Sequence, residues 1–324
     1  MSGAVEINPF EELYGLPFFT LPLDEVPAPG ALPEPDAVAW RLDCGYDKEW
    51  TFARLWRRFT ETVDTGRVRA LVIGPWWTGE YSGLAPAMEL IIADAARFPA
   101  LRALFLADVD SERCEISWLM MTDVTPAIEA FPLLEEFGAQ GCGDTYQNGD
   151  LRLRPVKHEH LRVLRLESGG LPGSVVRAVG ASELPALEHL ELWLGVEEYG
   201  GSATVADLAP LLDGGRFPRL RHLGLQNSEI QDEIVGAVAS APVVAGLESL
   251  ALSMGTLGDE GAEALLAGQP LTHLKELDLD HHFMSPAWTA RIQEALEPHG
   301  VRVSLEPVDD IFEDDEWRYV ALSE

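Results

Sequence analysis

The stretch that decides the fold is LESLALSMGTLGDEGAEALLAG, residues 247–268. It opens with apolar residues at positions 1, 4 and 6: Leu247, Leu250 and Leu252. In a short strand, positions 4 and 6 point to one face, and position 1 packs inward just before the strand begins. A turn follows. Asp259 then stands where a helix can be capped, and Ala262, Leu265 and Leu266 supply an inward stripe at helical spacing. Gly268 and Pro270 end that helix.

Laying the chain on itself shows the same triplet at Leu101-Leu104-Leu106, Leu161-Leu164-Leu166, Leu187-Leu190-Leu192, Leu220-Leu223-Leu225 and Leu274-Leu277-Leu279. Weaker copies are Val68-Leu71-Ile73, Leu134-Phe137-Ala139 and Ala37-Trp40-Leu42, and Val303 and Leu305 keep positions 4 and 6 at the end. First positions at 68, 101, 134, 161, 187, 220, 247 and 274 are 33, 33, 27, 26, 33, 27 and 27 residues apart. One strand and one helix per unit, stacked in chain order, make a solenoid. The 33-residue units read as the shorter unit with an insertion after its strand.

The expected fold is therefore α/β. It is a leucine-rich-repeat solenoid, or horseshoe, with a curved parallel sheet on the concave face and helices on the convex face. Further helices are expected at Val175–Val179, Val205–Leu212 and Ile234–Ala239. The repeats should run over 37–305 as about nine to ten units. The ends need caps, because a bare solenoid end exposes core and strand edge. Residues 1–36, with LPFFTLPL and then Pro27, Pro29, Pro33 and Pro35, read as a short hairpin or strand cap and a proline-rich connection. Residues 306–324 read as an acidic cap in which RYVAL (318–322) pairs as a strand with the sheet edge; the rival is a disordered acidic tail.

The unit at 247–268 resembles the repeat of the ribonuclease-inhibitor-like class of leucine-rich-repeat proteins, in which a helix follows each strand. The ninth position, often Asn or Cys in that class, is Cys142 here in one unit and Gly169, Gly195, Ser228, Gly255 or His282 in others. The whole chain also resembles an uncharacterised bacterial family of such proteins, through DAVAWRL (36–42), LPALEHLELWLG (184–195), ATVADLAPLL (203–212), NSEIQDEI (227–234) and RYVALSE (318–324). The resemblance implies the fold and transfers no activity; ribonuclease inhibition does not follow from it.

Composition narrows the partners. The 324 residues carry 54 acids against 23 bases, a formal charge of −31. Such a charge repels nucleic acid and anionic lipid and attracts basic proteins; it also serves solubility alone. Three cysteines without a CxxC pair exclude a disulfide framework and a structural zinc knot. Residues 1–13 show no signal peptide, and no stretch is long and apolar enough to span a membrane. The expectation is a cytoplasmic protein, neither nucleic-acid-binding nor membrane-bound.

No GxSxG, HExxH, P-loop or dinucleotide fingerprint is present, so the chain reads as no enzyme, without cofactor or assigned metal. The expected site is an interaction surface for a protein or peptide, with a basic one fitting the charge. Its concave residues are Phe105, Arg165, His189, Glu191, Trp193, His222, Gln226, Asp278 and Asp280. The inserted loops add Trp76, Trp77 and Tyr199, while Trp118, between Ile116 and Leu119, reads as packing. Two alternatives stand beside this: a small-molecule or metal-dependent site near His189 and His222, and a structural subunit of a multi-enzyme complex. The group Asp278, Asp280, His281 and His282 lacks ligand spacing and reads as a solvated acidic patch.

Overall fold

A computed structural model describes residues 12–23, 32–46, 49–78, 81–143, 150–308 and 318–323. Pro27, Pro29 and the acidic stretch 309–317 lie outside the described residues. Twelve strands form one sheet in strict chain order. They are β1 (Glu12–Leu13), β2 (Leu16–Thr20), β3 (Ala39–Leu42), β4 (Ala70–Ile73), β5 (Ala103–Leu106), β6 (Glu136–Gln140), β7 (Val163–Glu167), β8 (His189–Gly195), β9 (His222–Ser228), β10 (Ser249–Ala251), β11 (Glu276–Asp278) and β12 (Arg302–Ser304). Only β1 and β2 pair antiparallel; every later pair is parallel.

The register aligns the leucine triplets. Leu164 pairs with Leu190, Leu190 with Leu223, Leu223 with Leu250 and Leu250 with Leu277. From Val68 to Leu279, positions 1, 4 and 6 are buried and share one core with the helices, while Ala37 in the first unit is exposed and Val303 and Leu305 in the last are partly buried. Removing such a leucine to alanine costs about 2–5 kcal/mol.

Helices alternate with the strands. They are α1 (Phe52–Thr62), α2 (Ala85–Ala93), α3 (Thr125–Ala130), α4 (Gly173–Ala181), α5 (Val205–Leu212), α6 (Gln231–Val238), α7 (Asp259–Ala267) and α8 (Pro286–Leu296). The helix expected from Asp259 begins there, but its first turn is capped from the unit before. Asp232 Oδ1 accepts the N–H groups of Gly258 and Gly261 at 2.7 and 3.1 Å. Asp259 in turn accepts the N–H of Ser285, ahead of α8. Each carboxylate thus ties neighbouring units together while satisfying free helix donors. No described helix is long and apolar enough to cross a membrane.

Positions 3 and 5 face away from the helices. From β3 to β5 this open face is apolar except for Arg41, which pairs with Asp43 and Asp108; its apolar residues, Ala39, Ala70, Val72, Ala103 and Phe105, are already covered. The β1–β2 hairpin folds over them, so that Leu13, Tyr14, Leu16 and Phe18 pack on these residues as a second, separate core. Tyr14, at the hairpin tip, brings its backbone N–H near enough to Glu136 on β6 to favour that carboxylate's charged form. The hairpin expected in 1–36 is present, and it covers a face as well as extending the sheet.

The C-terminal segment docks by a different route from the expected one. Residues 318–323 form no strand. They run back across the turns that follow the strands: Ala321 N–H donates to Met254 O, His281 Nε2 lies 3.0 Å from Tyr319 O, and Arg318 reaches both Thr256 O and Asp232. Those turns hold left-handed residues, and Asn227, Met254 and His281 among them reach the segment through an amide, a carbonyl and an imidazole. Side-chain and carbonyl partners therefore replace the edge pairing that the RYVAL pattern suggested.

Candidate functional site

From β6 onward the open face turns polar, and its centre is β7 to β9. Parallel register sets His189 beside His222, and the two imidazoles stack with centroids 3.9 Å apart and planes 10° from parallel. Two residues along β8, on the same face, Glu191 places Oε2 3.2 Å from His189 Nε2. Its Oε1 accepts the indole N–H of Trp193 at 3.1 Å. Arg165 on β7 brings Nε to 3.5 Å from Glu191, and it also lies 3.9 Å from Glu136. His222 Nδ1 is 2.7 Å from Ser249 Oγ.

These contacts set the charges. Burial acts to raise the Glu191 carboxyl, but the hydrogen bond to His189 and the charges of Arg165 and His189 outweigh it and hold the group at about 2. Burial, followed by the neighbouring charge of His189, drives His222 down to about 4. Glu167, one strand from Trp193, moves the other way. It is 3% exposed, and burial reinforced by the charge of Glu191 raises its pKa well above the ordinary carboxylate value. Its Oε1 and the Oε1 of Gln226 are buried with no hydrogen-bond partner among the described residues.

Beyond β9 the face is acidic and its carboxylates are tied by hydrogen bonds. Gln226 donates to Ser253, and Ser253 donates to Asp278 at 2.7 Å. Ser304 and the N–H of Glu306 both donate to Asp280, whose own N–H donates to Asp278. Glu276 pairs with Arg302 on β12. Burial, with the neighbouring charges of Asp280 and Glu276, raises the Asp278 pKa against the hydrogen bonds from Ser253 and the Asp280 N–H.

The structure gathers His189, Glu191, Trp193, His222, Gln226 and Arg165 on one face and sets Asp278 and Asp280 on its continuation. Trp193 is buried at 5% exposure and orients Glu191, so it is no exposed anchor. Phe105 is likewise covered, by the N-terminal hairpin. Trp76 and Trp77 are buried edge-to-face against each other, and Tyr199 is partly buried on the core. The packing expected of Trp118 is corrected: it is 55% exposed, with its edge toward Tyr81 at 6.0 Å. His281 and His282 are buried near the Tyr319 and Leu305 carbonyls, where burial lowers both pKa values although His282 still feels the charge of Asp280. All three cysteines are free and buried, and burial pushes Cys44 to about 12 and Cys114 and Cys142 to about 11.

Fold and site together define an α/β protein with a twelve-stranded, largely parallel sheet alternating with helices, in the manner of a repeat solenoid. The chain is similar to a Bacteroides fragilis protein whose crystal structure was solved by the Northeast Structural Genomics Consortium. The TM-score is 0.71 and the sequence identity 28%, over 83% of this chain and 72% of that one. No protein-family model and no curated protein matches the chain.

Proposed function

We propose that the chain is a leucine-rich-repeat solenoid of the ribonuclease-inhibitor-like class, and that its open, concave face binds a cationic segment of a partner protein. Strand-then-helix units of 26 to 33 residues, read off the first positions, support the repeat class. One observation carries the binding reading. Glu276, Asp278 and Asp280 stand on the open side of one rung, and hydrogen bonds from Ser253, Ser304 and the backbone fix the two aspartates before any partner arrives. Preorganised acceptors of this kind suit guanidinium and ammonium groups, because little ordering remains to be done on binding. The apolar part of the same face is already occupied by the chain's own hairpin. On this reading the protein acts by binding rather than turnover, and its free thiols fit the reducing cytoplasm.

The test is titration of a fluorescent nona-arginine peptide into three proteins at fixed salt. One is wild type, one carries Glu276→Gln, Asp278→Asn and Asp280→Asn, and one carries Glu260→Gln, Glu263→Gln and Glu294→Gln on the helix side. Both variants lose the same charge. The open-face variant should bind about tenfold more weakly, or about 1.4 kcal/mol, and the helix-side variant nearly as wild type. Equal loss in both would mean that net charge alone attracts the peptide, and the reading would fall.

A further inference from the structure

We propose that His189, Glu191 and His222 form a binding site for one divalent transition-metal ion, of the zinc class. The three residues offer donor atoms that all lie within 4.8 Å of one another. Two imidazoles and one carboxylate are a donor set that such ions take, with bonds of about 2.0–2.2 Å. Tetrahedral ligation at those lengths separates neighbouring donors by about 3.4 Å. His189 Nε2 and Glu191 Oε2, at 3.2 Å, already stand at that spacing.

The surroundings prepare each donor. Trp193 engages Oε1 of Glu191 and leaves Oε2 toward His189. Ser249 engages Nδ1 of His222, which makes Nε2 the available nitrogen. Partners of this kind fix ring orientation and donor choice in metal sites. Face-to-face rings do not yet aim their lone pairs at one point, so binding turns the two imidazoles from parallel toward convergent.

The case for the site rests on these three donors and the groups that hold them. Glu167, buried on the same face with Oε1 unpartnered among the described residues, lies outside the donor set. This inference does not depend on the cationic-partner reading, which concerns the β10–β12 end of the face.

The experiment uses the full chain, stripped with chelator and titrated with zinc chloride by calorimetry in excess magnesium, then with cobalt(II) by visible absorption. Wild type should take up one equivalent of zinc and show cobalt bands of low-coordinate nitrogen and oxygen ligation. Glu191→Gln and His222→Asn should each weaken zinc at least about tenfold, while circular dichroism reports the fold intact. Ser249→Ala, which removes no donor and sits at the surface of the cluster, should weaken it severalfold. Absence of stoichiometric uptake by wild type, or uptake unchanged in a His189→Asn, His222→Asn double variant, would overturn the proposal.

Discussion

The Asn227 side chain closes both backbone hydrogen bonds of Leu322, donating Nδ2 to the Leu322 carbonyl at 2.6 Å and accepting its N–H at 3.0 Å. Ninety-five residues separate the two. Asn227 is buried, sits in the left-handed region at φ 56°, and also donates to Ser168 O. One amide thereby joins the turn after β7, the end of β9 and the C-terminal segment.

Replacing Asn227 should therefore release that segment. Asn227→Gly keeps the backbone geometry and removes only the amide, so it isolates the latch. Loss of two to three buried hydrogen bonds should cost about 1–3 kcal/mol in urea unfolding. Residues 318–323 should then be trimmed by carboxypeptidase much faster than in wild type.

A second expectation concerns the hairpin that covers β3–β5. Gly138 lies under the Phe105 ring, and a Cβ there would come within 2.3 Å of Phe105 Cδ2. Gly138→Ala should push that ring into the hairpin and destabilise the fold by about 1–3 kcal/mol. Phe105→Ala should cost about 3–5 kcal/mol through the cavity it leaves. Both should raise binding of a hydrophobic dye as the covered face opens.

Glu167 gives a pH signature. Its folded pKa lies above the unfolded value, so the folded state holds the proton more tightly. Its contribution to stability then falls as pH rises, from about 4.3, the unfolded value, up to the raised folded one. Glu167→Gln should remove that slope and stabilise the metal-free protein near pH 7 by about 1–3 kcal/mol. Thermal melts of both proteins across pH 4 to about 8 would read it.

Capping between units is equally testable. Asp232→Ala leaves Gly258 and Gly261 without an acceptor and Arg318 without its carboxylate. About 1–2 kcal/mol should be lost. Amide exchange should quicken at the start of α7, in the unit after the substituted one.

Much of this architecture is legible in the sequence because the leucine triplets impose a period of two on each strand and repeat in phase. Their phase alone aligns Leu190 with Leu223 and sets His189 against His222, as the register has them. Helix α5 falls on the expected Val205–Leu212. What the triplets leave out is what crosses between units. An apolar position 3 or 5, such as Ala70 or Phe105, does not say whether a partner or the chain's own hairpin covers it. RYVAL alternates like a strand, yet its partners are an asparagine amide and turn carbonyls, which no local period encodes. Trp118 has apolar neighbours in sequence but stands on an exposed loop edge. Glu167 falls on an open-face position like its neighbours, and only the packing around it separates a buried acid from a solvated one.

The most direct test of the binding face is zero-length carbodiimide coupling between the full chain and a lysine-rich peptide, mapped by mass spectrometry. Such coupling joins a lysine only to a carboxylate that it touches. Crosslinks should concentrate on Glu276, Asp278, Asp280 and Glu306, which lie together at the β11–β12 end of the open face. Crosslinks spread evenly over Glu260, Glu263 and Glu294 on the helix side would contradict a dedicated binding face.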